Sequence, residues 1–268
     1  MALVGKKTFC VVTGASRGIG REIAVQLAEN SAPESSFLLL ATNTQKLEET
    51  ASVVKAKNEK ANVEILAVDF SKQTEKLSGV EEAFKKLWNA SPSVDLFVVV
   101  HCAGTVGNMA LHSYELDDTA DWQAHLLTNV SAMIQLNCVL HKLLKGKGKE
   151  KPIFVNITSL LAIQAFPSFT QYSTSKAARE AYFRAFASEE PAARVLSYSP
   201  GPVLTDMHTT VIGTTCDDGV RSMFKEQGDA NSPQERRALT TDQTVKKMIG
   251  FLNQDTYTSG SRIDYFDM

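Results

Sequence analysis

The sequence predicts a single α/β domain in which helices cover both faces of a doubly wound parallel sheet. Six short apolar segments alternate with longer amphipathic segments, and 268 residues suit one domain of this kind. The apolar segments are nearly continuous, which is typical of parallel strands buried on both faces. The six predicted strands span residues 8–12, 37–41, 63–68, 96–100, 153–157 and 194–198.

Five amphipathic segments between these strands predict helices. In the first of them, Ile23, Leu27 and Ala28 fall on one side, as expected for a helix that packs against a sheet. The five predicted helices span residues 19–29, 47–58, 75–88, 122–144 and 172–188. No linker divides the pattern, so we assign residues 1–268 to one domain.

Two regions lack a clear pattern, residues 105–121 and residues 201–240. The second is longer than an ordinary loop, and such segments usually form lids or remain disordered. It follows the carboxyl end of a predicted strand, where open α/β sheets bind their ligands. We therefore predict that residues 201–240 form a substrate lid within the domain.

Composition excludes several classes of protein. A formal net charge of −2 argues against a nucleic-acid partner, which usually meets a basic excess. Hydrophobic residues make up 43% and charged residues 22% of the chain, as in an ordinary globular protein. No apolar run approaches the roughly 20 residues that cross a bilayer, so we expect no membrane partner. The N-terminal apolar run is too short for a signal peptide.

The four cysteines are far apart in the sequence, form no CxxC pair and have no histidine cluster nearby. We therefore expect no metal site. Reduced thiols are typical of cytoplasmic proteins, so we predict a cytoplasmic location.

A glycine-rich loop joins the first predicted strand to the first predicted helix. Its glycines allow a tight turn, and the helix N-terminus offers unpaired N–H groups to a phosphate. The spacing is Gly-x-x-x-Gly-x-Gly, in the strand–turn–helix context of a Rossmann-like dinucleotide site. A plain glycine-rich turn is the alternative. The residues predicted to bind the cofactor here are Gly14, Ala15, Ser16, Arg17, Gly18, Ile19 and Gly20.

The end of the second predicted strand indicates which nicotinamide cofactor binds. NAD-selective sites usually carry a carboxylate there, whereas this chain has Thr42 and Asn43. Arg17 supplies a cation suited to a 2′-phosphate, so we predict NADP, bound as NADPH. A solvated surface arginine is the alternative. Asp69, after the third strand, either contacts the adenine ring or caps the helix that follows Ser71.

Tyr172 and Lys176 lie four residues apart, which places them on one face of a predicted helix. An ammonium group stabilises a nearby phenolate, so we expect Lys176 to lower the pKa of Tyr172 from its ordinary value of about 10. Ser159 is placed to hold a substrate carbonyl, and Asn129 to extend a proton relay through water. Each residue alone has a structural alternative, such as a cap for Ser159. Their conjunction with the glycine loop predicts catalysis.

The order of these motifs resembles that of the short-chain dehydrogenase/reductase family over nearly the whole chain. The motifs are Thr13-Gly14-x-x-x-Gly18-x-Gly20, Asp69, Ala103-Gly104, Asn129, Ser159, Tyr172-x-x-x-Lys176 and Pro200-Gly201. The resemblance implies that Tyr172 is the proton donor, and that Ser159 positions the carbonyl. It also implies that Lys176 binds the nicotinamide ribose and tunes Tyr172, and that Asn129 completes a catalytic tetrad. Further cofactor contacts are implied at Phe70, Ala103, Gly104, Val203, Leu204, Thr205, Asp206 and Met207.

The chain departs from the family at one motif. The usual Asn-Asn-Ala-Gly after the fourth strand is His101-Cys102-Ala103-Gly104 here. The small pair beside the cofactor is kept, while the asparagine pair that braces the central sheet is not. We interpret His101 as a core residue, with a second catalytic base as the alternative.

The C-terminal segment 259–267 and the segment around Tyr172 resemble family members that reduce side-chain carbonyls of pterins. In those proteins a carboxylate near the C-terminus anchors the pterin, and the matching residue is Asp264. A plain strand end is the alternative for Asp264. A carboxylate that faces adjacent N–H donors forms a two-point hydrogen bond. The substrate-binding residues implied are Thr158, Ser159, Tyr172, Gly201 and Asp264.

This resemblance implies NADPH-dependent reduction of sepiapterin and 6-pyruvoyl-tetrahydropterin, in the last steps toward tetrahydrobiopterin. One alternative is a general NADPH-dependent reductase of diketones, quinones or steroids. Another is a non-catalytic NADP-binding regulator. A homodimer through the two long helices, residues 122–144 and 172–188, is implied by the family only.

Overall fold

The computed structural model describes residues 3–72, 77–91 and 93–267. In this part of the chain seven parallel strands form one sheet in the order β3-β2-β1-β4-β5-β6-β7. The strands are β1 Thr8–Thr13, β2 Ser36–Ala41, β3 Asn62–Ala67, β4 Leu96–His101, β5 Ile153–Ile157, β6 Arg194–Ser199 and β7 Ser261–Asp264. The order reverses between β1 and β4, and open α/β sheets bind ligands at such a switch point.

The six apolar segments are confirmed as strands, and no end differs from the prediction by more than one residue. Every residue of β1, β2, β4 and β5 is buried, as their continuous apolar sequence predicts. The seventh strand, β7, is not among the six strands that the sequence predicts. It is short and contains Arg262 and Asp264, so it carries no apolar run to mark it.

Helices cover both faces of the sheet, as predicted. Helices α1 (Gly18–Asn30), α2 (Thr44–Lys57) and α9 (Thr241–Gln254) supply residues to the core on one face. Helices α3 (Ser78–Ala90), α5 (Ala132–Leu144) and α6 (Thr170–Glu189) supply the core on the other. Among the described residues, no helix is long and apolar enough to cross a membrane.

The predicted helix 122–144 is interrupted in the structure. Helix α4 (Thr119–Leu126) passes into a wider π-helical turn, Leu127–Ser131, before α5 begins. Asn129 lies in this turn and is buried. Turns of this kind often occur at functional sites, and periodicity alone does not reveal them. The predicted helix 75–88 begins at Glu75, which lies outside the described residues, and α3 is described from Ser78.

The prediction that residues 201–240 lack regular structure is wrong. Helices α7 (Asp206–Thr214) and α8 (Asp218–Gly228) occupy half of this region. The Thr205 and Asp217 side chains cap their N-termini, and Val203 pairs with Leu239 in a parallel bridge. The two helices are only 9 and 11 residues long, and the glycines at residues 213, 219 and 228 are typical of loops. Closure of this region as a lid stays a prediction.

Candidate active site

The glycine-rich loop between β1 and α1 lies against the end of β4. The Thr13 hydroxyl accepts hydrogen bonds from the backbone N–H groups of Cys102 and Ala103, both at 3.0 Å. Gly14 has a φ of +70°, and a Cβ atom there would lie 3.1 Å from the backbone of Ala103. The loop therefore requires glycine at residue 14 for both its conformation and its close approach to β4.

The N-terminus of α1 fits a dinucleotide phosphate. Arg17 precedes the helix with an extended backbone, its side chain makes no capping bond, and the first turn contains no acidic residue. The first N–H groups of α1 therefore have no side-chain cap among the described residues, and they suit an anion. A Cβ at Gly20 would overlap the carbonyl of Gly14, so no other residue fits the turn as it stands. Within the loop, Ala15 and Ser16 are buried, and Ile19 packs against the core.

The segment 203–207 lies beside the glycine loop. Arg17 Nη1 is 2.6 Å from Asp206 Oδ2, and a Cβ at Gly18 would lie 3.4 Å from the Thr205 methyl group. Arg17 thus pairs with a protein carboxylate, although both side chains remain more than half exposed. Val203 is buried, whereas Leu204 and Met207 are exposed apolar residues in the same segment.

The residues after β2 and β3 have local structural roles. Thr42 is exposed, and Asn43 caps α2 by accepting a hydrogen bond from Lys46 N–H at 2.9 Å. Asp69 accepts bonds from the backbone and hydroxyl of Ser71, which hold the pKa of the Asp69 carboxyl below its usual value. The N-cap residue of α3 is Leu77, and residues 73–76 lie outside the described residues, so both interpretations of Asp69 stay predictions. Phe70 is buried and packs into the core.

The structure brings Tyr172, Lys176 and Ser159 together at the carboxyl end of β5. The Ser159 side chain lies beside Tyr172 and acts to lower the pKa of its hydroxyl. Lys176 Nζ lies 5.3 Å from the centre of the Tyr172 ring and donates to the carbonyl of Ile157 at 2.7 Å. Ser159 also accepts a hydrogen bond from Leu161 N–H, so it is both a cap and a partner of Tyr172.

The expected effect of Lys176 on the pKa of Tyr172 is not what the structure gives. Burial raises the pKa of Tyr172 to about 12, and the Ser159 side chain and the Arg179 charge only partly oppose it. Burial and the nearby Arg179 cation lower the pKa of Lys176 well below its ordinary value. Desolvation therefore outweighs the attraction between ammonium and phenolate. Tyr172 is held protonated, the form that a proton donor needs.

Asn129 lies beside this group and is fully engaged with its neighbours. Its Oδ1 accepts from Thr105 N–H at 2.9 Å, and its Nδ2 donates to the Thr105 carbonyl at 2.7 Å and to Ser175 Oγ at 3.1 Å. A Cβ at Gly104 would lie 3.3 Å from Asn129 Oδ1. The side chain thus fixes the segment after β4 to α6, and a role in a proton relay stays a prediction.

Arg179 is a site residue whose role sequence reasoning missed. It is fully buried, and its guanidinium donates to the carbonyls of His101 at 2.6 Å and Ala103 at 3.0 Å and to Asn156 Oδ1 at 2.8 Å. These bonds tie the end of β4 to β5 and α6. Arg179 therefore joins the strand ends where the asparagine pair is missing. The position of Arg179 on the same helix as Tyr172 is the one sequence feature that indicates a role at the site. It is a weak indication, because an arginine on a helix ordinarily faces solvent.

His101 is a core residue, as interpreted from the sequence. It is buried, its Nε2 lies 3.0 Å from Asn137 Oδ1, and its Nδ1 has no hydrogen-bond partner among the described residues. Because Asn137 Nδ2 donates to Tyr182, Asn137 Oδ1 is an acceptor, which assigns the imidazole proton to Nε2. Burial and the Arg179 cation lower the pKa of His101 to about 3.

Substituting His101→Asn is expected to make the protein less sensitive to acid. A histidine in the unfolded chain has a pKa of about 6.5. Below that pH the unfolded chain therefore binds a proton that His101 in the folded protein does not bind. Stability supplied above pH 6.5 is therefore lost as the pH falls toward 3. Urea unfolding at pH 7 and pH 5 measures this change. In wild type, His101 is expected to lower the free energy of unfolding by about 2 kcal/mol between pH 7 and pH 5. In the variant that decrease disappears.

The exposed His112 supplies the control for this experiment. His112→Asn is expected to keep the wild-type dependence on pH, because this substitution leaves the buried His101 in place. A His101→Asn variant whose stability falls as steeply as that of wild type would contradict the burial argument.

The residues implied to bind substrate fall into two groups. Ser159, Tyr172 and Gly201 lie at the carboxyl ends of the strands, and Asp264 ends β7 in register with Ser199 of β6. Thr158 is buried and donates its hydroxyl to Glu180 at 2.6 Å. The expectation that Thr158 binds substrate is not supported, because its hydroxyl is bound within the protein.

Tyr172 belongs to a cluster of buried apolar side chains. This cluster comprises Val106, Met109, Leu161, Phe169, Tyr172, Val211 and Val220, with Phe166 and Phe224 packed against it. Helices α7 and α8 contribute three of these residues, so the region 201–240 forms part of the apolar wall near Tyr172. Among the described residues, no group of histidine, cysteine or carboxylate side chains forms a metal site.

The sequence model of the short chain dehydrogenases matches residues 8–214, which include the glycine loop, Ser159, Tyr172 and Lys176. The chain belongs to the short-chain dehydrogenase/reductase family. It is an oxidoreductase with the seven-stranded parallel sheet of this family.

Relatives within the short-chain dehydrogenases cover nearly the whole chain. The chain is 31% identical to sepiapterin reductase of Xenopus tropicalis over 97% of this chain and 96% of that one. It is 31% identical to sepiapterin reductase of Rattus norvegicus, with the same coverage. The structure of L-sorbose reductase from Gluconobacter frateurii, complexed with NADPH and L-sorbose, is 25% identical with a TM-score of 0.75. It covers 98% of this chain and 96% of its own.

Proposed function

We propose that the protein reduces side-chain carbonyls of pterins, such as sepiapterin and 6-pyruvoyl-tetrahydropterin, with NADPH as the reductant. The observation that carries the proposal is the position of Asp264. This carboxylate ends β7, so it lies at the same carboxyl end of the sheet as Ser159, which follows β5, and Tyr172. The similarity to sepiapterin reductases over 97% of the chain supports this substrate class.

The cofactor site favours NADPH over NADH. The end of β2 offers Thr42 and Asn43 and no carboxylate that would repel a 2′-phosphate. Arg17 is exposed beside the loop, and its ion pair with Asp206 is a surface pair of small net energy. Arg17 can therefore exchange this partner for a phosphate. When bound, the nicotinamide supplies the hydride.

The protein's own groups supply the proton and the orientation. Ser159 donates a hydrogen bond to the substrate carbonyl oxygen, and Tyr172 transfers its proton to that oxygen as reduction proceeds. Lys176 beside the ring contacts the cofactor ribose. Asp264 accepts two hydrogen bonds from the amino-pyrimidine edge, which fixes the side-chain carbonyl relative to Tyr172.

Comparing sepiapterin with diacetyl, a small diketone without a pterin ring, tests this proposal. Wild type is expected to oxidise NADPH with either substrate and to have the higher kcat/KM for sepiapterin. Asp264→Asn is expected to lower kcat/KM for sepiapterin by about 100-fold, because loss of a charged two-point contact costs roughly 3 kcal/mol. Its kcat/KM for diacetyl stays within about twofold of wild type, since no contact is lost.

A matched control is Asp218→Asn, whose side chain is 98% exposed on α8. This variant retains both activities. An equal loss on both substrates in Asp264→Asn would assign Asp264 a structural role. Wild-type turnover of diacetyl without turnover of sepiapterin would instead establish a general carbonyl reductase.

A further inference from the structure

Three charged side chains connect the C-terminal strand to the catalytic helix. Arg262 on β7 lies between two carboxylates: its Nη2 is 3.0 Å from Asp264 Oδ2, and its Nε is 3.3 Å from Glu180 Oε1. The side chains of Glu180, Asp264 and Arg262 are only 4%, 11% and 18% exposed. Their charges therefore interact with less screening than surface ion pairs do.

Glu180 extends this connection to the proton-donating residues. It lies on α6 eight residues after Tyr172 and four after Lys176, so the three residues share one face of the helix. Glu180 Oε1 accepts the hydroxyl hydrogen bond of Thr158, the residue immediately before Ser159. The series Asp264, Arg262, Glu180 and Thr158 thus ends at the backbone that carries Ser159.

The bonds already made by Asp264 leave a defined capacity for a ligand. Its Oδ2 accepts from Arg262, and its Oδ1 accepts from the backbone N–H of Phe266 at 3.1 Å. A carboxylate has about four lone-pair sites, two on each oxygen. Counting bonds from the described residues, one site therefore remains on each oxygen, which suits a ligand edge with two adjacent N–H donors.

Stability alone does not account for this arrangement. Buried ion pairs and triads often add little to the free energy of unfolding, because desolvation offsets the attraction. Removing the arginine leaves two buried carboxylates that repel each other, and Asp264 then has no cation to hold its orientation. What Arg262 supplies is a fixed geometry.

We infer that Arg262 and Glu180 are positioning residues, which hold the Asp264 carboxylate at a set orientation and distance from Ser159 and Tyr172. This inference rests on the proposed function. It limits good substrates to heterocycles that carry two adjacent N–H donors and a carbonyl on a short side chain. Carbonyl compounds without such an edge react independently of both positioning residues.

Steady-state kinetics of Arg262→Gln and Arg262→Lys with NADPH, using sepiapterin and diacetyl, test the inference. Arg262→Gln is expected to raise KM for sepiapterin by about tenfold or more, because a displaced anchor loses its charge-assisted bonds. Its kcat and KM for diacetyl stay within about twofold of wild type. Arg262→Lys keeps the charge without the planar fork, so its KM for sepiapterin is expected to lie between that of wild type and that of Arg262→Gln.

Arg184→Gln is the matched control. Arg184 Nη1 lies 3.8 Å from Glu180 Oε2, but its side chain is 61% exposed. This variant is expected to show wild-type constants for both substrates. The comparison separates the Arg262 contact from a general effect of removing a cation near Glu180.

Each other outcome overturns a defined statement. Equal losses on both substrates without rescue by lysine, or an unchanged KM for sepiapterin, overturn the positioning role while the proposed function stands. If Arg262→Gln does not fold, Arg262→Lys decides, and a wild-type KM for sepiapterin in that variant overturns the inference. Wild type that reduces diacetyl but not sepiapterin overturns the proposed function and the inference together.

Discussion

Replacing Tyr172 by phenylalanine is expected to lower kcat for carbonyl reduction by about 10²–10⁴-fold, because the variant has no proton to donate. Only the hydroxyl is removed, and the ring keeps its place in the apolar cluster near Phe169. Cofactor affinity, measured by fluorescence titration, therefore changes by less than about threefold. The signature of a proton donor is this separation of turnover from binding.

Tyr182→Phe is the control, since it makes the same chemical change on the same helix. The Tyr182 hydroxyl accepts from Asn137 at 2.9 Å and takes no part in the Tyr172–Ser159 pair. This variant retains turnover. Near-normal kcat in Tyr172→Phe would show that another group protonates the product.

The pH dependence of reduction follows from the same burial. Tyr172 must be protonated to donate, and burial raises its pKa to about 12. Reduction is therefore expected to lose no activity through Tyr172 ionisation between pH 6 and pH 9, measured as kcat at saturating substrate. A phenol with its ordinary pKa of about 10 would start to lose activity nearer that range.

Arg179→Met is expected to reduce the free energy of unfolding by at least about 3 kcal/mol, since each buried group left unpaired costs about 1–3 kcal/mol. The carbonyls of His101 and Ala103 and the Asn156 amide oxygen all lose their donor. Methionine fills part of the volume but donates no hydrogen bond. Urea unfolding at pH 7 measures the change.

The second expected result of this substitution concerns Lys176. Removing a nearby positive charge favours the ammonium form, so the pKa of Lys176 rises toward its ordinary value. Arg184→Met, at an exposed position on the same helix, changes stability by less than about 0.5 kcal/mol. An Arg179→Met protein as stable as this control would show that the strand ends do not depend on the guanidinium.

The strands and the cofactor loop were predictable because their signals are local. A buried parallel strand needs a continuous apolar run, and a tight approach of backbone to phosphate needs glycine. Residues 8–20 contain both signals, so they predict the first strand and the cofactor loop. The Tyr172–Lys176 spacing is equally local, since helix geometry alone places the two side chains on one face.

The features that were missed depend on contacts between distant residues. Arg179 and Glu180 look like ordinary polar residues of a helix surface, and only the packing of α6 on the sheet buries them. The sequence predicts a lowered pKa for Tyr172, whereas burial raises it. That prediction is wrong for the same reason, because burial is a property of the assembled fold. Thr158 was assigned to substrate because the sequence does not show that Glu180 accepts its hydroxyl.

Because β7 lies at the edge of the sheet, the local stability of Asp264, the proposed substrate anchor, can differ from that of the sheet centre. This strand has four residues and pairs with β6, whereas the glycine loop is carried by β1 near the centre of the sheet. Edge elements open locally at lower free energy than the core. Release of β7 would free Asp264 while the dinucleotide site stayed intact, so selectivity for the substrate and affinity for the cofactor need not be lost together on denaturation.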